Sequence, residues 1–252
     1  MNTTAEREFA KVPQATLAFW GVKILATTLG ETGGDALSMS LALGYLLSSG
    51  IFLLLFVAAA SVQIAARRFH PAPYWAAIIA STTVGTTLAD FADRSLGIGY
   101  AGGTAILTVL LLASLLLWQR SLGSIAVASV NTPRAETFYW VTIMLSQTLG
   151  TALGDWSADS VGLGYVGAAL IFGALLALIA LAYGVTRISR TTLFWAAFIL
   201  TRPLGAVVGD FLDKPLADGG LALSRYAATA VLLGLIGIGL ALFKQRPAHY
   251  GH

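Results

Sequence analysis

One segment of this chain occurs four times, and this repetition constrains the fold more than any other feature. The first copy reads FWGVKILATTLGETGGD and covers residues 19–35. The other copies cover residues 74–90, 139–155 and 194–210. Every copy follows the pattern [FY]-W-x9-G-x3-[GA]-D without an insertion or deletion. The chain is therefore a tandem array of one structural unit.

The composition indicates an integral membrane protein. Of the 252 residues, 57% are hydrophobic and 11% are charged, whereas soluble domains carry about 25% charged residues. A membrane-spanning helix needs roughly 20 mainly apolar residues. Eight segments meet this requirement, at about 13–34, 41–66, 73–92, 97–119, 136–156, 161–186, 191–212 and 222–244.

The eight segments pair into four units of two helices each. The predicted repeats are 13–68, 71–120, 135–188 and 191–246, within a single membrane domain that covers 1–252. A two-helix unit returns the chain to its starting side, so the units are parallel and related by an axis along the membrane normal. The predicted fold is all-α, with eight transmembrane helices as four parallel two-helix pseudo-repeats.

Small residues spaced four apart predict which helices are central. They let helix backbones approach closely in a membrane, and all of them lie in the first helix of a unit. The pairs are Gly30/Gly34, Gly85/Ala89, Gly150/Gly154 and Gly205/Gly209. The first helices are therefore predicted at the centre, with the second helices around them.

The basic residues predict the orientation. Ten of them flank the helices on one side: Arg7, Lys11, Arg67, Arg68, Arg120, Arg134, Arg187, Arg190, Lys244 and Arg246. The other side has only Arg94, Lys214 and Arg225. The positive-inside rule places the first set and both termini in the cytoplasm. The aromatic-Trp pairs are then expected at the cytoplasmic interface.

Basic residues in short loops do not indicate a nucleic-acid partner.

Four tandem two-helix units, each with a Trp at the same motif position, resemble a bacterial inner-membrane repeat family of unknown function. The resemblance covers nearly the whole chain. It implies an all-helical fold and a multi-pass location in the bacterial inner membrane. It implies no activity, so the function has to be argued from the residues.

The repeat aspartates are the main candidates for chemistry, because charged groups within a bilayer are costly and usually face a cavity or a partner. Residues four apart share a helix face, so the four inner helices present matching layers. The outermost layer is Asp35, Asp90, Asp155 and Asp210. The next is Glu31, Thr86, Thr151 and Ala206, and below it lie Thr27, Thr82, Gln147 and Arg202. Lys23 is in the layer closest to the cytoplasm.

These layers predict an oxygen-rich vestibule that binds a hard cation. Carboxylate, hydroxyl and amide oxygens suit Mg, Ca or Mn. The predicted metal ligands are Glu31, Asp35 and Asp155, and the predicted internal counter-charges are Lys23 and Arg202. Asp93, Asp159 and Asp213 are expected to be solvated turn residues.

The segment Glu31-Thr-Gly-Gly-Asp35 resembles the Glu-x-Gly-Asp signature of membrane exchangers that export calcium or manganese against protons. It has one additional Gly, occurs once instead of twice, and lacks the Lys/Arg-Thr/Ser that follows in those exchangers. The resemblance implies a divalent cation as the substrate.

The leading hypothesis is therefore a secondary transporter of an inorganic divalent cation such as manganese or calcium, with protons as the candidate coupling ion and no resident cofactor. The alternative is a non-transporting scaffold or accessory subunit that docks a periplasmic partner through its outer acidic ring. A third class, a membrane enzyme acting on a lipid or quinone, is selected by no motif in the sequence. The identity of the ion and the oligomeric state stay open.

Overall fold

The computed structural model describes residues 10–248, and its regular elements are helical. Arg7 lies outside this part of the chain. The predicted all-α fold is confirmed for the described residues, which include eight α-helices. They are α1 (Leu17–Asp35), α2 (Gly44–Ala65), α3 (Pro71–Asp90), α4 (Tyr100–Leu122), α5 (Pro133–Asp155), α6 (Gly164–Val185), α7 (Arg190–Asp213) and α8 (Arg225–Leu242).

Five of the described helices are long and apolar enough to cross a membrane: α2, α4, α6, α7 and α8. They indicate a membrane protein. The apolar windows of α2, α4, α6 and α8 are only 11–22% buried inside the protein. Their remaining apolar surface needs a lipid environment. Helices α1, α3 and α5 carry more polar residues, and most of those residues are buried.

The first helices of the four units form a closed ring. Helix α1 packs against α3 and α7, and α5 packs against the same two helices. Each second helix packs on the first helix of the following unit: α2 on α3, α4 on α5 and α6 on α7. The last helix, α8, packs on α1 and completes the outer layer. The second helix of every unit therefore contacts the next unit, and that of the fourth unit contacts the first.

The central glycine of the motif sets the spacing within this ring. Gly30 of α1 faces Thr82 of α3. Gly205 of α7 faces Thr27 of α1, so the fourth inner helix contacts the first. A Cβ atom at Gly85 would lie 2.9 Å from the backbone carbonyl carbon of Gln147, well inside the optimal carbon–carbon separation of about 3.5–4.0 Å. The inner helices can approach this closely only because the motif position lacks a side chain.

The aromatic residues that begin each motif form a buried layer at the end of the ring opposite the repeat aspartates. Phe19, Tyr74 and Tyr139 are fully buried. The Tyr74 and Tyr139 hydroxyls are hydrogen-bonded at 2.7 Å, and Phe19 packs against Phe194. These rings pack on one another inside the protein, and their position at the cytoplasmic interface stays a prediction. We call Phe19, Tyr74, Tyr139 and Phe194 the aromatic floor.

The ring packing predicts different effects for two glycine substitutions. Gly85→Ala should lower the free energy of unfolding by about 1–3 kcal/mol, because the added methyl overlaps the neighbouring backbone. Gly173→Ala in α6 is the matched control, since no atom lies within 4 Å of the added Cβ; it should raise stability by up to about 1 kcal/mol. Denaturant titration in detergent measures both. Equal effects would contradict the tight contact at Gly85.

Candidate functional site

Arg202 of α7 lies at the centre of the ring and is completely buried. Its Nη2 atom lies 2.9 Å from Glu31 Oε2 on α1. The same nitrogen donates to Thr86 Oγ1 on α3 and to Thr151 Oγ1 on α5. Nη1 also reaches the backbone oxygen of Thr27 at 3.4 Å. One guanidinium therefore connects all four inner helices.

The four repeat aspartates lie one turn outward from this centre, at or near the ends of the inner helices. All four are at least 97% buried. Asp35, Asp90 and Asp155 each stand where the α-helix passes into a five-residue π-helix. Such π segments often occur at functional sites. The fourth unit lacks this element, and α7 continues to Asp213.

Two of these carboxylates share one arginine. Arg94 Nε lies 3.0 Å from Asp90 Oδ1, and Arg94 Nη2 lies 3.4 Å from Asp155 Oδ2. The same guanidinium donates to the hydroxyls of Tyr45 and Tyr100, at the start of the second helices. Arg94 therefore connects α3 to α5 at the outer end of the ring.

The other two carboxylates share one lysine. Lys214 Nζ lies 2.5 Å from Asp35 Oδ2 and 3.1 Å from Asp210 Oδ1. Arg225 is 3.7 Å from Asp35 and 3.0 Å from Asp213. The two halves of the ring thus have equivalent arrangements, in which one cation bridges the aspartates of neighbouring inner helices.

The bridging cations stay charged. Burial by itself lowers the pKa of Lys214, but Asp210 and Asp35 outweigh it and raise that pKa. Burial likewise opposes the charge of Arg94, while Asp90 and Asp155 raise its pKa. Five carboxylates are in contact with only three cations in this outer layer (Asp35, Asp90, Asp155, Asp210 and Asp213 with Arg94, Lys214 and Arg225). The outer layer therefore has more carboxyl groups than basic side chains.

One group of carboxylates among the described residues has the spacing of a metal site. Asp35, Asp210 and Asp213 each offer an oxygen within 4.8 Å of the others. The predicted set of Glu31, Asp35 and Asp155 shares only Asp35 with this group. Glu31 is instead bound by Arg202, and Asp155 faces Arg94.

The neutral site residues are buried but differ in their contacts. Thr27 Oγ1 donates to the backbone of its own helix and to Thr201 of α7. Thr151 accepts from Arg202. Thr82 Oγ1 and both amide atoms of Gln147 have no hydrogen-bond partner within residues 10–248. Thr27 and Thr151 therefore stabilise the ring, whereas the Thr82 hydroxyl and the Gln147 amide remain available for hydrogen bonds to a ligand.

Lys23 is the second predicted internal counter-charge, and it is completely buried. Its Nζ lies 4.1 Å above the centre of the Phe198 ring. It has no hydrogen-bond partner among the described residues. Arg202 therefore has a carboxylate partner in Glu31, and Lys23 contacts the face of an aromatic ring instead.

Sequence reasoning missed the cations that neutralise the aspartates. Arg94 follows Asp90 by four residues and Lys214 follows Asp210 by four, a spacing that favours ion pairs on a helix. This spacing is the signal in the sequence that indicates both ion pairs.

The expected solvation of two turn aspartates is wrong, since Asp93 and Asp213 are buried; Asp159 is exposed as expected. Asp213 is enclosed because it pairs with Arg225. Asp93 packs against Gly103, and burial raises its pKa to about 6, with Arg94 opposing.

The comparison with protein families agrees with this fourfold architecture. A family model described as Repeat of Unknown Function (DUF347) matches residues 18–69, 73–123, 138–189 and 193–246. The chain belongs to this family. Each DUF347 repeat supplies one inner helix with the motif glycine and aspartate, and one outer helix. No curated protein and no solved structure matched the chain.

The geometry of Arg202 predicts how the buried pair with Glu31 contributes to stability. Arg202→Met should lower the free energy of unfolding by about 3–5 kcal/mol, because it leaves a buried carboxylate without its partner. Adding Glu31→Gln should recover part of this loss, since no uncompensated charge remains.

Denaturant titration of the two single variants and the double variant measures this coupling. Arg187→Met is a control at an exposed arginine, and it should change stability by less than about 0.5 kcal/mol. A double variant that loses the sum of the single effects would contradict a direct Arg202–Glu31 interaction.

Proposed function

We propose that this protein is a secondary transporter of an inorganic divalent cation in the bacterial inner membrane, with protons as the coupling ion. In this proposal all eight helices cross the membrane as four parallel pseudo-repeats. Helices α1, α3 and α5 are less apolar than the others because the outer helices and their neighbours cover most of their surface. The acidic end faces the periplasm and both termini face the cytoplasm.

The observation that carries the proposal is the pairwise bridging of buried aspartates by Lys214 and Arg94. Buried carboxylates need a cation. Here both cations are long side chains that reach in from the outer end of the ring, and Arg94 is 30% exposed. A side chain of this kind can leave when an ion from solution takes its place. We interpret Lys214 as a tethered substitute for the transported cation.

The substrate is proposed to bind first at Asp35, Asp210 and Asp213, whose oxygens have the required spacing. Oxygen ligands of this type suit Ca or Mn better than soft metals. Glu31, Asp90 and Asp155 are the proposed next ligands, because they are the neighbouring buried carboxylates. Glu31 is the proposed proton carrier, since it is buried one turn inward and its carboxylate pairs with Arg202.

A non-transporting scaffold is the alternative. It would dock a periplasmic partner through the outer acidic ring, and a docking surface has to be accessible. The four repeat aspartates are at least 97% buried, and their side chains already have partners within the chain. Burial therefore supports transport over docking at this site.

Transport predicts that the buried aspartates are required for flux. Asp35→Asn and Asp155→Asn should each lower manganese flux into proteoliposomes by at least about tenfold, because each removes a charged ligand. Asp159→Asn is the matched control, since Asp159 is exposed and lies four residues after Asp155. Wild-type flux in both buried variants would exclude the proposal. A scaffold predicts no flux in any of these proteins.

The tethered-cation interpretation predicts a distinct phenotype for Lys214→Met. Removing the competing ammonium should tighten equilibrium manganese binding by at least about tenfold, since one strong ion pair no longer opposes it. The same substitution should slow flux, because no internal cation promotes release. Lys244→Met, at an exposed lysine, should leave both unchanged. Unchanged or weaker manganese binding in Lys214→Met would contradict the interpretation.

A further inference from the structure

Five buried polar atoms inward from the Arg202–Glu31 pair have no hydrogen-bond partner among the described residues. They are Lys23 Nζ, Thr82 Oγ1, Arg202 Nε and both amide atoms of Gln147, and other such atoms lie elsewhere in the fold. All four residues are completely buried. More than about 90% of buried polar groups in proteins have a partner. Such a group of donors in one region therefore points to a ligand between them.

The ring geometry brings these residues to adjacent levels of the same interior. Thr82, Gln147 and Arg202 occupy equivalent positions of successive repeats, each packed against the motif glycine of the preceding inner helix. Lys23 lies one helical turn closer to the aromatic floor, where its ammonium group covers the Phe198 ring. The unpartnered donors thus lie between the Arg202–Glu31 pair and the aromatic floor.

Lys23 has no carboxylate partner among the described residues. Glu31 pairs with Arg202. The repeat aspartates lie further outward, where Arg94, Lys214 and Arg225 pair with them. The protonated form of Lys23 therefore needs a counter-ion, because an unpaired buried charge is costly.

The available groups match the chemistry of a small anion. Lys23, Arg202 Nε and the Gln147 amide nitrogen donate hydrogen bonds, and Thr82 has a hydroxyl that can also donate. Water could satisfy these donors, but only an anion would also supply a counter-ion for protonated Lys23.

We propose that a monovalent inorganic anion of the size of chloride or nitrate binds between Lys23, Thr82, Gln147 and Arg202. This anion site is distinct from the outer carboxylates and does not depend on the proposed cation transport. The aromatic floor separates it from the cytoplasmic end.

The test uses the purified full-length protein in detergent. Chloride and nitrate are titrated against gluconate at constant ionic strength, and binding is measured by calorimetry and by the shift in unfolding temperature. The wild type should bind chloride or nitrate and gain thermal stability relative to gluconate. Lys23→Met should weaken anion binding at least about tenfold, whereas Lys23→Arg should retain most of it, because a cationic donor is kept. Lys244→Met should bind like the wild type.

Gln147→Leu is a second variant in case Lys23→Met does not fold, and it should also weaken anion binding without removing a charge. The proposal is overturned if the wild type shows no difference between chloride, nitrate and gluconate. It is equally overturned if folded Lys23→Met, or Gln147→Leu in its place, binds the anion with wild-type affinity. Manganese flux is recorded separately, so a failure of the cation proposal leaves this result interpretable.

Discussion

The close approach of four inner helices around the Arg202 guanidinium is the interaction on which the rest of the structure depends. In a membrane the hydrophobic effect does not hold helices together, so packing and interhelical hydrogen bonds must do so. The motif glycines allow the backbones to come close, and Arg202 then reaches Glu31, Thr86 and Thr151 on the three other inner helices. A larger residue at the glycine position would separate the helices that this one side chain connects.

The four repeats share a scaffold but not their chemistry. At the position eight residues before the motif aspartate, the chain carries Thr27, Thr82, Gln147 and Arg202. A perfectly symmetric ring would place four identical side chains there, and four arginines at one level would repel one another. Because only the fourth repeat has an arginine at this position, Arg202 can bond to a side chain on each of the other three inner helices. The ionisable groups are also separated along the ring: carboxylates outnumber basic side chains at the outer end, and further inward Lys23 Nζ has no partner among the described residues.

The outer end of the ring combines rigid and exchangeable parts. The carboxylates are fixed on the inner helices, three of them at the start of a π segment. Their cations are carried by flexible side chains, Arg94 on a π segment and Lys214 just beyond α7. Replacing Lys214 therefore requires a side-chain movement and no repacking of the ring. The proposed inner anion site has no comparable side-chain counter-ion.

The sequence by itself determined the fourfold repeat, the helical fold and the membrane environment, because a fixed spacing and an apolar composition act locally along the chain. It also identified Arg202 and Lys23 as buried cations. Only the tertiary structure decided which charges meet. Arg94 and Asp155 are 61 residues apart, and Lys214 and Asp35 are 179 apart. The first pair forms because α3 packs on α5, and the second forms because the ring closes by packing α7 on α1. That closure depends on the fit between distant surfaces, which periodicity along one helix does not specify.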